Sequence, residues 1–547
     1  MKNKLGLFLL ATVLLAAVFG GIAGDKVSAV STLDDPPEQL LKTFNEALVV
    51  IQSNYARNVE SEEMVHSAIR GMLRTLDPHS SFFDNRDYGR LQEDQQGKYF
   101  GLGITIRQEA PGSGRVVIVE PPAPGTPAYK AGLRAGDTIV KVRNEKIDDW
   151  EMEEVIRNLK GPKGTKVNIT IERPGALKPQ ELDVERDEIS LHTIQSAFRI
   201  RPDIGYIRLN RFSETSYDEL DRALEQIDEK TLSGLVLDLR DNPGGSLNQA
   251  LRISERFLKK GQLIVSTRGR NGEGERFTAK RGARHEYPVI ALINRNSASA
   301  SEIVAGAIQD HDRGLIVGET SFGKALVQTI YPMENNLGLA LTTGRYYTPS
   351  NRLIQRDYSE GFYDYYFVRN NDKPQEVRQT DSGRKVFGGG GIKPDHEISN
   401  RELNRIEGLM LGQDAFFDYA RKLVNGEVRA AAAFQLKARL LEAREESDRL
   451  KLMATVVIDD AIVEDFRLYL KGKDLSFTDK EMADNAEFIK RRIKEQFFIS
   501  TFGAREAYKI AIEGDETVQK AIHLMPEAKA LLENSQKNSV ASQGSNR

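Results

Sequence analysis

The feature that most constrains the fold is a set of three short apolar runs separated by helical patterns. The runs are GLVLDLR (234–240), PVIALIN (288–294) and GLIVGE (314–319). Continuous apolar runs of this length are typical of strands in a parallel sheet that is covered on both faces. The stretches SLNQALRISERFLKK and SASEIVAGAIQD between them have helical patterns. The alternation predicts right-handed β-α-β crossovers and an α/β core between about residues 190 and 400.

The sequence on either side of this core has a different character, and 547 residues are too many for one hydrophobic core. Apolar residues spaced by three and four predict helices before residue 90 and after residue 401. Between them, short strand patterns, Gly/Pro turns and one helix near 149–160 indicate a small separate module. We therefore predict an N-terminal helical region (30–90), the module (91–175), the core (176–400), a C-terminal helical region (401–534) and a polar, disordered tail (535–547).

The first 29 residues have the pattern of an export signal. Lys2 and Lys4 precede the apolar run at 5–24, and VSA at 27–29 offers small residues suited to signal-peptidase cleavage. The run is also long enough to span a bilayer as an uncleaved anchor. Both interpretations remain open, and either predicts a protein exported to the periplasm or cell envelope, free or anchored in the inner membrane.

Charge and cysteine content exclude several classes of function. The net charge is −3 and no run of Lys or Arg is long, so we expect no nucleic acid partner. The chain has no cysteine, which excludes disulfides, thiol nucleophiles and thiolate metal sites. We expect no metal and no other cofactor.

The stretch NRNSASASEIVAGAIQD at 294–310 admits two interpretations. Ser299 and Glu302 fit a capping box, in which hydroxyl and carboxylate bind the unpaired N–H groups of the first helical turn. Alternatively, Ser299 is a nucleophile at the positive end of a helix, where a developing oxyanion is stabilised. The local sequence alone favours the cap.

Three unusual loops follow the three apolar runs, and in an open parallel sheet such loops face one crevice. They are DNPGGS, NRNSAS and TSFGKALVQ. The glycines Gly244 and Gly245 can turn consecutive N–H groups inward and, with the N–H of Ala300, form an oxyanion hole. A tight turn required by Pro243 is the structural alternative.

A serine nucleophile needs a base, and Lys324 is the candidate in the third loop. The amine acts as a base only if burial moves its pKa from about 10.4 to near 7. Phe322, Leu326 and Val327 are apolar neighbours for such a pocket, and Gln328 can accept a hydrogen bond from the amine without adding negative charge. The seven histidines are better interpreted as packing or surface residues.

Together these stretches resemble the carboxyl-terminal processing peptidases, also called tail-specific proteases, a Ser-Lys peptidase family. The resemblance rests on NSASASEIVAGAIQD, SFGKALVQ, DLRDNPGG, GIKPD and the upstream GMLRTLDPHSSFF, and spans about residues 40–400. It implies a multidomain α/β fold, a parallel-containing peptidase core with an inserted PDZ domain and helical regions at both ends. It also implies the following roles: Ser299 is the nucleophile, Lys324 the general base and Gln328 the residue that positions the lysine, while Gly244, Gly245 and Ala300 match the oxyanion region. Ala325 departs from the family, whose members usually have glycine there.

The resemblance extends to the small module, which is similar to a PDZ domain, a β-barrel-like fold that binds protein C-termini. FGLGI matches the loop whose N–H groups receive a terminal carboxylate, and PAYKAGLRAGDTIVKVRNEKI resembles the segment that follows. Gly101 and Gly103 permit an anion-binding nest, and Leu102 and Ile104 would line an apolar pocket beside it. The implied peptide-binding residues are Phe100, Gly101, Leu102, Gly103 and Ile104.

The sequence therefore predicts an exported serine endopeptidase that recognises apolar protein C-termini and forms a homo-oligomer, in the simplest case a dimer, through its helical regions. Two rival hypotheses remain. One is an inactive PDZ adaptor on a peptidase fold. The other is a histidine-assisted esterase or lipase, against which stands the lack of a Gly-x-Ser-x-Gly elbow around Ser299.

Overall fold

The structure, a computed structural model, describes residues 37–544 apart from 110–113, 271, 273, 360, 368–375, 400, 431–451, 453–454 and 474. The predicted export segment at 1–29 lies outside the described residues. Contacts divide the chain into two compact units, Met1–Thr75 and Leu76–Arg547. Across the described ranges, no helix is both long enough and apolar enough to cross a membrane.

The first unit contains the two helices that the apolar spacing predicts before residue 75. They are α1 (Pro37–Asn54) and α2 (Ser61–Arg74). Helix α1 carries large apolar side chains that are exposed, namely Leu40, Leu41, Phe44, Val49, Val50 and Ile51.

The second unit begins with a strand and a helix and continues into the small β-rich module. The elements are β1 (Ser81–Phe83), α3 (Asn85–Gln96), β2 (Lys98–Gly101), β3 (Ile106–Gln108), β4 (Val116–Ile118), α4 (Pro127–Lys130), β5 (Thr138–Val142), β6 (Glu145–Lys146), α5 (Met152–Leu159), β7 (Lys166–Glu172), β8 (Gln180–Glu185) and β9 (Asp187–Ser190). The module's sheet has the order β3-β4-β5-β7-β8, with β6 paired to β5. Antiparallel pairing of β2 with β9 joins the entering and leaving chain, so the module is an insertion.

The module does not have the predicted boundaries of 91 and 175. Residues 91–96 belong to α3, which ends at Gly97 in a left-handed conformation. The sheet continues to Glu185, because β8 pairs along the whole of β7. The sequence of β8, QELDVE, contains only two apolar residues and thus gave little strand signal.

The α/β core follows. Its elements are β10 (Ile194–Arg201), β11 (Ile204–Leu209), α6 (Ser216–Gln226), β12 (Gly234–Asp238), α7 (Leu247–Glu255), β13 (Leu263–Gly269), β14 (Arg276–Thr278), β15 (Val289–Ile293), α8 (Ala300–Asp310), β16 (Gly314–Gly318), β17 (Leu326–Met333), β18 (Leu337–Tyr347), α9 (Phe362–Phe367), β19 (Val377–Gln379), β20 (Lys385–Phe387) and β21 (His396–Glu397). The three predicted strands are β12, β15 and β16, and each is fully buried.

The central sheet has the order β10-β11-β12-β15-β16-β21 and is parallel except where β10 meets β11. One face packs against helices α6, α7 and α8 in the largest hydrophobic core. The other face packs against residues from the C-terminal part of the chain, among them Val518 and Met525. The prediction of a parallel sheet buried on both faces is confirmed.

A second, antiparallel sheet lies beside the first and has the order β1-β18-β13-β14, with β17 paired to β18. Strand β1 precedes the inserted module, yet it pairs with β18 of the core through Ser81–Ala340 and Phe82–Leu339. The core is therefore assembled from chain on both sides of the insertion.

The C-terminal region is helical, as predicted. It contains α10 (Arg405–Gly412), α11 (Ala415–Asn425), α12 (Asp460–Gly472), α13 (Asp479–Asp484), α14 (Ala486–Phe502), α15 (Ala504–Glu513) and α16 (Glu516–Gly544). Helices α10 to α15 share a hydrophobic core of their own, and α16 lies on the central sheet. Arg107 of β3 pairs with Asp414 and stacks on Phe417, so this region also contacts the inserted module.

The prediction of a disordered tail from residue 535 is wrong for the described part of that segment, because α16 continues to Gly544. The polar composition of the tail is that of a segment that cannot form a core. However, α16 is already nucleated by residues packed on the sheet, and extending an existing helix requires no second nucleation.

Candidate active site

The loops that follow β12, β15 and β16 meet at the carboxyl edge of the sheet. The buried Asn242 connects the first two loops, since its carbonyl accepts hydrogen bonds from Ala298 N at 3.0 Å and Ser301 Oγ at 2.9 Å. Ser297 connects the second and third loops, because its carbonyl accepts from Phe322 N at 2.9 Å. The structure thus brings the three predicted loops together.

Ser299 lies at the N-terminus of α8 with an unusual backbone conformation. Its φ is 55° and its ψ is −113°, a region that side-chain-bearing residues rarely occupy. Such conformations cost about 1–3 kcal/mol and cluster at functional sites. The side chain is only partly buried, so a substrate can reach it.

Glu302 forms the capping interaction that the sequence predicts, and it also does more. Its carboxylate is completely buried and accepts from Ser299 N at 2.8 Å. The same oxygen accepts from Lys324 N at 2.9 Å, while the other oxygen accepts from Ser321 Oγ at 2.5 Å and Gly323 N at 2.7 Å. One carboxylate therefore holds the backbones of Ser299 and Lys324 together.

A second side chain joins the same two backbones. The hydroxyl of Tyr346, in β18, lies 2.6 Å from the carbonyl oxygen of Lys324 and 3.2 Å from that of Ser299. The ring is buried, and burial raises the pKa of Tyr346 well above its usual value. The hydroxyl therefore keeps its proton and acts as a hydrogen-bond donor, which fits its two carbonyl partners.

Lys324 lies two residues before β17, and Gln328 lies within that strand. Lys324 Nζ donates to Gln328 Oε1 at 2.7 Å, which is the pairing that the sequence predicts. Burial lowers the pKa of Lys324, while the carboxylates of Glu302 and Asp77 oppose this shift. The net direction is the one that a lysine base requires.

The glycines at 244 and 245 occupy the predicted place but do not contribute equally. Gly244 has φ +99°, and a Cβ there would lie 2.9 Å from Ser299 Cβ. Its N–H, however, donates to Asn242 Oδ1 at 2.9 Å. The prediction that Gly244 offers its N–H to an oxyanion is therefore wrong for this conformation, because that N–H already donates to the side-chain oxygen of the buried Asn242.

The other two predicted donors remain available. Within the described part of the chain, the N–H groups of Gly245 and Ala300 donate no hydrogen bond. Gly245 has φ +139°, and a Cβ there would overlap the carbonyl oxygen of Phe212, so the turn requires glycine. Gly245 and Ala300 are the candidate oxyanion donors.

The PDZ residues lie in the inserted module, on a separate hydrophobic core. Gly103 has φ +75°, and a Cβ would lie 2.8 Å from Thr126 Cβ, so glycine is required in this loop. Leu102 is buried and Ile104 half-buried on the core that also contains Val155 and Leu159 of α5. Phe100 is exposed, and Gly101 pairs with Asp187 in the β2–β9 ladder.

The sequence assigned His79 to another domain, but the structure places it beside Lys324. Its carbonyl accepts from Gln328 Nε2 at 2.6 Å, and its ring nitrogen Nε2 lies 2.6 Å from Tyr365 Oη. Burial and the charge of Lys324 lower the pKa of His79 to about 4, against the opposing charge of Asp77. The ring is therefore neutral at physiological pH. In the sequence, the DPHSSFF stretch was the signal that could have assigned His79 to the site.

Two smaller expectations concern His311 and Ala325. His311 follows α8 and packs between Asp381 Oδ2 and the Leu263 carbonyl, each at 2.7 Å, in agreement with a packing role. Ala325 has no positive φ, and its N–H donates to Gln355 Oε1 at 2.8 Å. Alanine therefore replaces the family's usual glycine without backbone strain.

No group of three or more acidic, histidine or cysteine side chains with metal-binding geometry occurs in the part of the chain that the structure describes.

Family models match three parts of the chain. Residues 203–361 match the model of peptidase family S41, residues 118–173 match a PDZ domain, and residues 23–87 match the N-terminal domain of the activating protease CtpB. The expected insertion of a PDZ domain into a peptidase core is confirmed.

Several carboxy-terminal processing proteases are similar to this chain over most of their length. The carboxy-terminal-processing protease of Bartonella bacilliformis is 42% identical over 321 residues, which are 58% of this chain and 72% of the relative. The carboxy-terminal processing protease CtpB of Bacillus subtilis is 32% identical over 333 residues, 60% of this chain and 68% of the relative. A solved photosystem II D1 C-terminal processing protease is 26% identical, covers 67% of this chain and 94% of its own, and has a TM-score of 0.35.

The fold, the site and these relatives define a serine-type peptidase that carries a PDZ domain. The chain belongs to peptidase family S41, the carboxy-terminal processing proteases. This confirms the predicted class of enzyme, a serine-type peptidase.

Proposed function

We propose that the protein is an exported endopeptidase that captures protein C-termini in its PDZ domain and cleaves peptide bonds with a Ser299–Lys324 dyad. The observation that carries the proposal is the shared carboxylate of Glu302, which holds the backbones of Ser299 and Lys324 together. The lowered pKa of Lys324 supports its role as the base.

The reaction begins with the neutral amine of Lys324. Nζ takes the proton of Ser299 Oγ as that oxygen attacks the scissile carbonyl, and the oxyanion is held by the N–H groups of Gly245 and Ala300. The protonated lysine returns the proton to the leaving amine, and the peptide bond breaks to leave an acyl-serine. Lys324 then takes a proton from water as the water oxygen attacks the ester. The bond to Ser299 Oγ breaks, and Lys324 returns the proton to that oxygen, which restores the serine hydroxyl and the neutral amine.

The helix α8 contributes to the same step. Ser299 and Ala300 lie at its N-terminus, where the partial positive charge of the helix stabilises a developing anion. Gln328 accepts from the amine without adding charge, so it positions Lys324 while leaving its pKa low.

The substrates we propose are proteins with an exposed apolar C-terminus. Strand β3 is paired only with β4 among the described strands, and its open edge can accept an extended peptide beside α5. The residues we assign to this site are Phe100, Gly101, Leu102, Gly103 and Ile104. The positive φ of Gly103 in this loop suits an anion-binding nest.

We further propose export to the periplasm or cell envelope, on the evidence of the N-terminal apolar run. We also propose that a homo-oligomer, in the simplest case a dimer, forms through the helical regions. The exposed apolar side chains of α1 support this, since patches of this kind are rare on monomers. The double variant Phe44→Asp/Val50→Asp should have a smaller mass in solution than wild type, and light scattering measures this difference.

Cleavage of an unfolded protein that ends in apolar residues tests the dyad. Ser299→Ala and Lys324→Ala should each reduce kcat at least about 10³-fold, because each removes one half of the proton transfer. Lys280→Ala, on the exposed surface, is the matched control and should cleave like wild type. Equal cleavage by all four proteins would exclude the Ser-Lys assignment.

The PDZ role requires a separate measurement with two otherwise identical peptides. A peptide with a free apolar C-terminus should bind at least about tenfold more tightly than its C-terminal amide, because the amide lacks the negative charge that the nest recognises. Titration of Ser299→Ala with both peptides avoids cleavage. Equal affinity would contradict C-terminal recognition.

A further inference from the structure

The turn Asp77–Ser80, here called the DPHS turn, is held rigidly by one carboxylate. Asp77 Oδ1 accepts from the backbone N–H groups of His79 and Ser80, both at 2.8 Å, and Oδ2 accepts from Ser80 Oγ at 2.7 Å. An aspartate that binds the following N–H groups fixes a turn with little remaining freedom. The turn precedes the PDZ insertion, whereas Ser299 and Lys324 follow it.

Strand pairing places this turn next to Gln328. The strand that follows the turn, β1, pairs with β18, and the hydroxyl of Ser80 accepts from Thr342 N at 3.2 Å. Thr342 is the residue opposite Gln328 in the β17–β18 ladder. The turn is therefore attached to the strand pair that carries Gln328.

The contact between them determines which way the Gln328 amide points. The carbonyl of His79 can only accept a hydrogen bond, and it receives Gln328 Nε2 at 2.6 Å. The amide oxygen is thereby turned to the opposite side, where it accepts from Lys324 Nζ at 2.7 Å. A reversed amide would oppose two oxygens at His79 and two sets of donors at Lys324.

We propose that the DPHS turn is a positioning element of the peptidase: through the His79 carbonyl it orients the Gln328 amide, and through that amide it holds the amine of Lys324. This inference rests on the proposed role of Lys324 as the base. Asp77 and Ser80 are positioning residues, since they act through Gln328 and touch no reacting atom.

Several charged or titratable groups face Lys324 from the elements packed around it. Glu302 approaches from α8, Asp77 and His79 from the turn, and Tyr346 from β18. Arg356, after β18, stacks on Phe322 of the lysine loop. Substitutions of Asp77 thus change both the geometry of the turn and the charge near Lys324, and the experiment has to separate these two effects.

The comparison of Asp77→Asn with Asp77→Ala separates them, because both variants lose the same charge. Asparagine still accepts from the N–H groups of His79 and Ser80, whereas alanine releases the turn. We expect kcat of Asp77→Ala to be at least about tenfold below that of Asp77→Asn. The acid limb of kcat/KM should move to lower pH by about one unit in both, since loss of a nearby carboxylate favours the neutral amine.

Two further variants complete the test, and thermal melting checks that each of them is folded. Ser80→Ala removes the hydrogen bonds of the hydroxyl to Asp77 and from Thr342 N but no charge, so kcat should fall with no shift of the acid limb. In Gln328→Glu the side chain cannot donate to His79 and adds negative charge, so kcat should fall and the acid limb should move to higher pH. Asp94→Asn, an exposed carboxylate paired with Arg211, is the control and should match wild type.

The outcomes are distinguishable from those of the dyad experiment. If Lys324→Ala cleaves like wild type, the proposed function itself has failed. If Lys324→Ala is inactive while Ser80→Ala keeps the wild-type kcat and the two Asp77 variants have equal kcat, the positioning role of the turn is excluded. Should Asp77→Ala fail to fold, Ser80→Ala and Gln328→Glu decide the question alone.

Discussion

At the scale of single residues, the site depends on a carboxylate that the sequence identifies only as a helix cap. Glu302 receives four hydrogen bonds from two loops, and burial raises its pKa above the usual value despite them. The same carboxylate raises the pKa of Lys324, which works against a lysine base. Glu302 therefore holds the site together and, at the same time, disfavours the neutral form of Lys324 that the proposed reaction requires.

The pH dependence of activity follows from the pKa of Lys324. Burial lowers this pKa below the ordinary 10.5, and the base form increases as pH rises, so kcat/KM should rise with pH along a limb that lies below that value. A profile measured from about pH 5 to about pH 9 checks this. Melting curves over the same range serve as the control for unfolding, and a flat profile would contradict a lysine base.

The sign of the linked effect on stability is fixed by the same shift. Because the folded state binds fewer protons at Lys324 than the unfolded state, lowering the pH from 10.5 towards the lowered pKa of Lys324 reduces the stability that the site contributes.

Substitution of Glu302 tests its role in joining the loops. In Glu302→Gln one carboxylate oxygen becomes an NH₂ group, which cannot accept a hydrogen bond. Two donors in this buried site then lose their acceptor, either the N–H groups of Ser299 and Lys324 or the Ser321 hydroxyl and the Gly323 N–H. We expect the free energy of unfolding to fall by about 2–4 kcal/mol and peptidase activity to be lost. Urea unfolding and the cleavage assay measure both. Glu334→Gln, at an exposed turn, should leave both unchanged, whereas an active and equally stable Glu302→Gln would refute this role.

At the scale of elements, the loop after β12 requires glycine at position 245. In Gly245→Ala the new methyl group would meet the backbone of Phe212, so the loop shifts and the candidate oxyanion donor at 245 moves. We expect kcat to fall at least about 10²-fold with a smaller effect on KM. Gly261→Ala is the matched control, because φ is +87° there but nothing lies within 4 Å of the added carbon. Equal losses in both variants would show a general backbone effect.

The elements that local patterns can define were predicted, and those that depend on distant packing were not. Strands β12, β15 and β16 and helix α8 are encoded in runs of five to eleven residues, so their periodicity was sufficient. The pairing of Lys324 with Gln328 was predictable because four residues separate them. His79 was missed because 249 residues separate it from Gln328, and only the β1–β18 pairing brings them together.

The N–H of Gly244 illustrates another limit of sequence reasoning. The sequence indicates that glycine is needed after Pro243, and the positive φ confirms it. Which N–H remains free depends on Asn242, whose side chain is fixed by Leu209 O at 2.8 Å and so reaches back to Gly244. Such competition between neighbouring acceptors is set by tertiary packing.

At the scale of the whole molecule, the C-terminal helices contact both the PDZ domain and the peptidase core. Glu120 of the PDZ domain accepts from Ala504 N at 2.9 Å. Asp515 pairs at 2.8 Å with Arg240, which also binds the buried Asp238 at the end of β12. Burial opposes ionisation of Asp238, but Arg240 and Arg208 lower its pKa to about 2. One helical region therefore contacts the PDZ domain and the strand that leads into the Gly244–Gly245 loop.

Helix α16 should be essential for the stability of the central sheet. Met525 lies against Gly234, where any larger residue would overlap its side chain. In Met525→Asp a charge is buried on the sheet, so the free energy of unfolding should fall by at least about 3 kcal/mol. Urea unfolding measures this loss, and Lys529→Asp, on the exposed side of the helix, should have little effect. Two equally stable variants would mean that α16 does not cover the sheet.

The position of α16 in the chain has a consequence for biosynthesis. The residues that close the second face of the sheet, around 518–528, follow every strand of that sheet in the chain. Until they emerge, one apolar face of the sheet that carries Ser299 stays in contact with water, and its folding is incomplete. We therefore expect the sheet to complete its folding only after this helix has been synthesised.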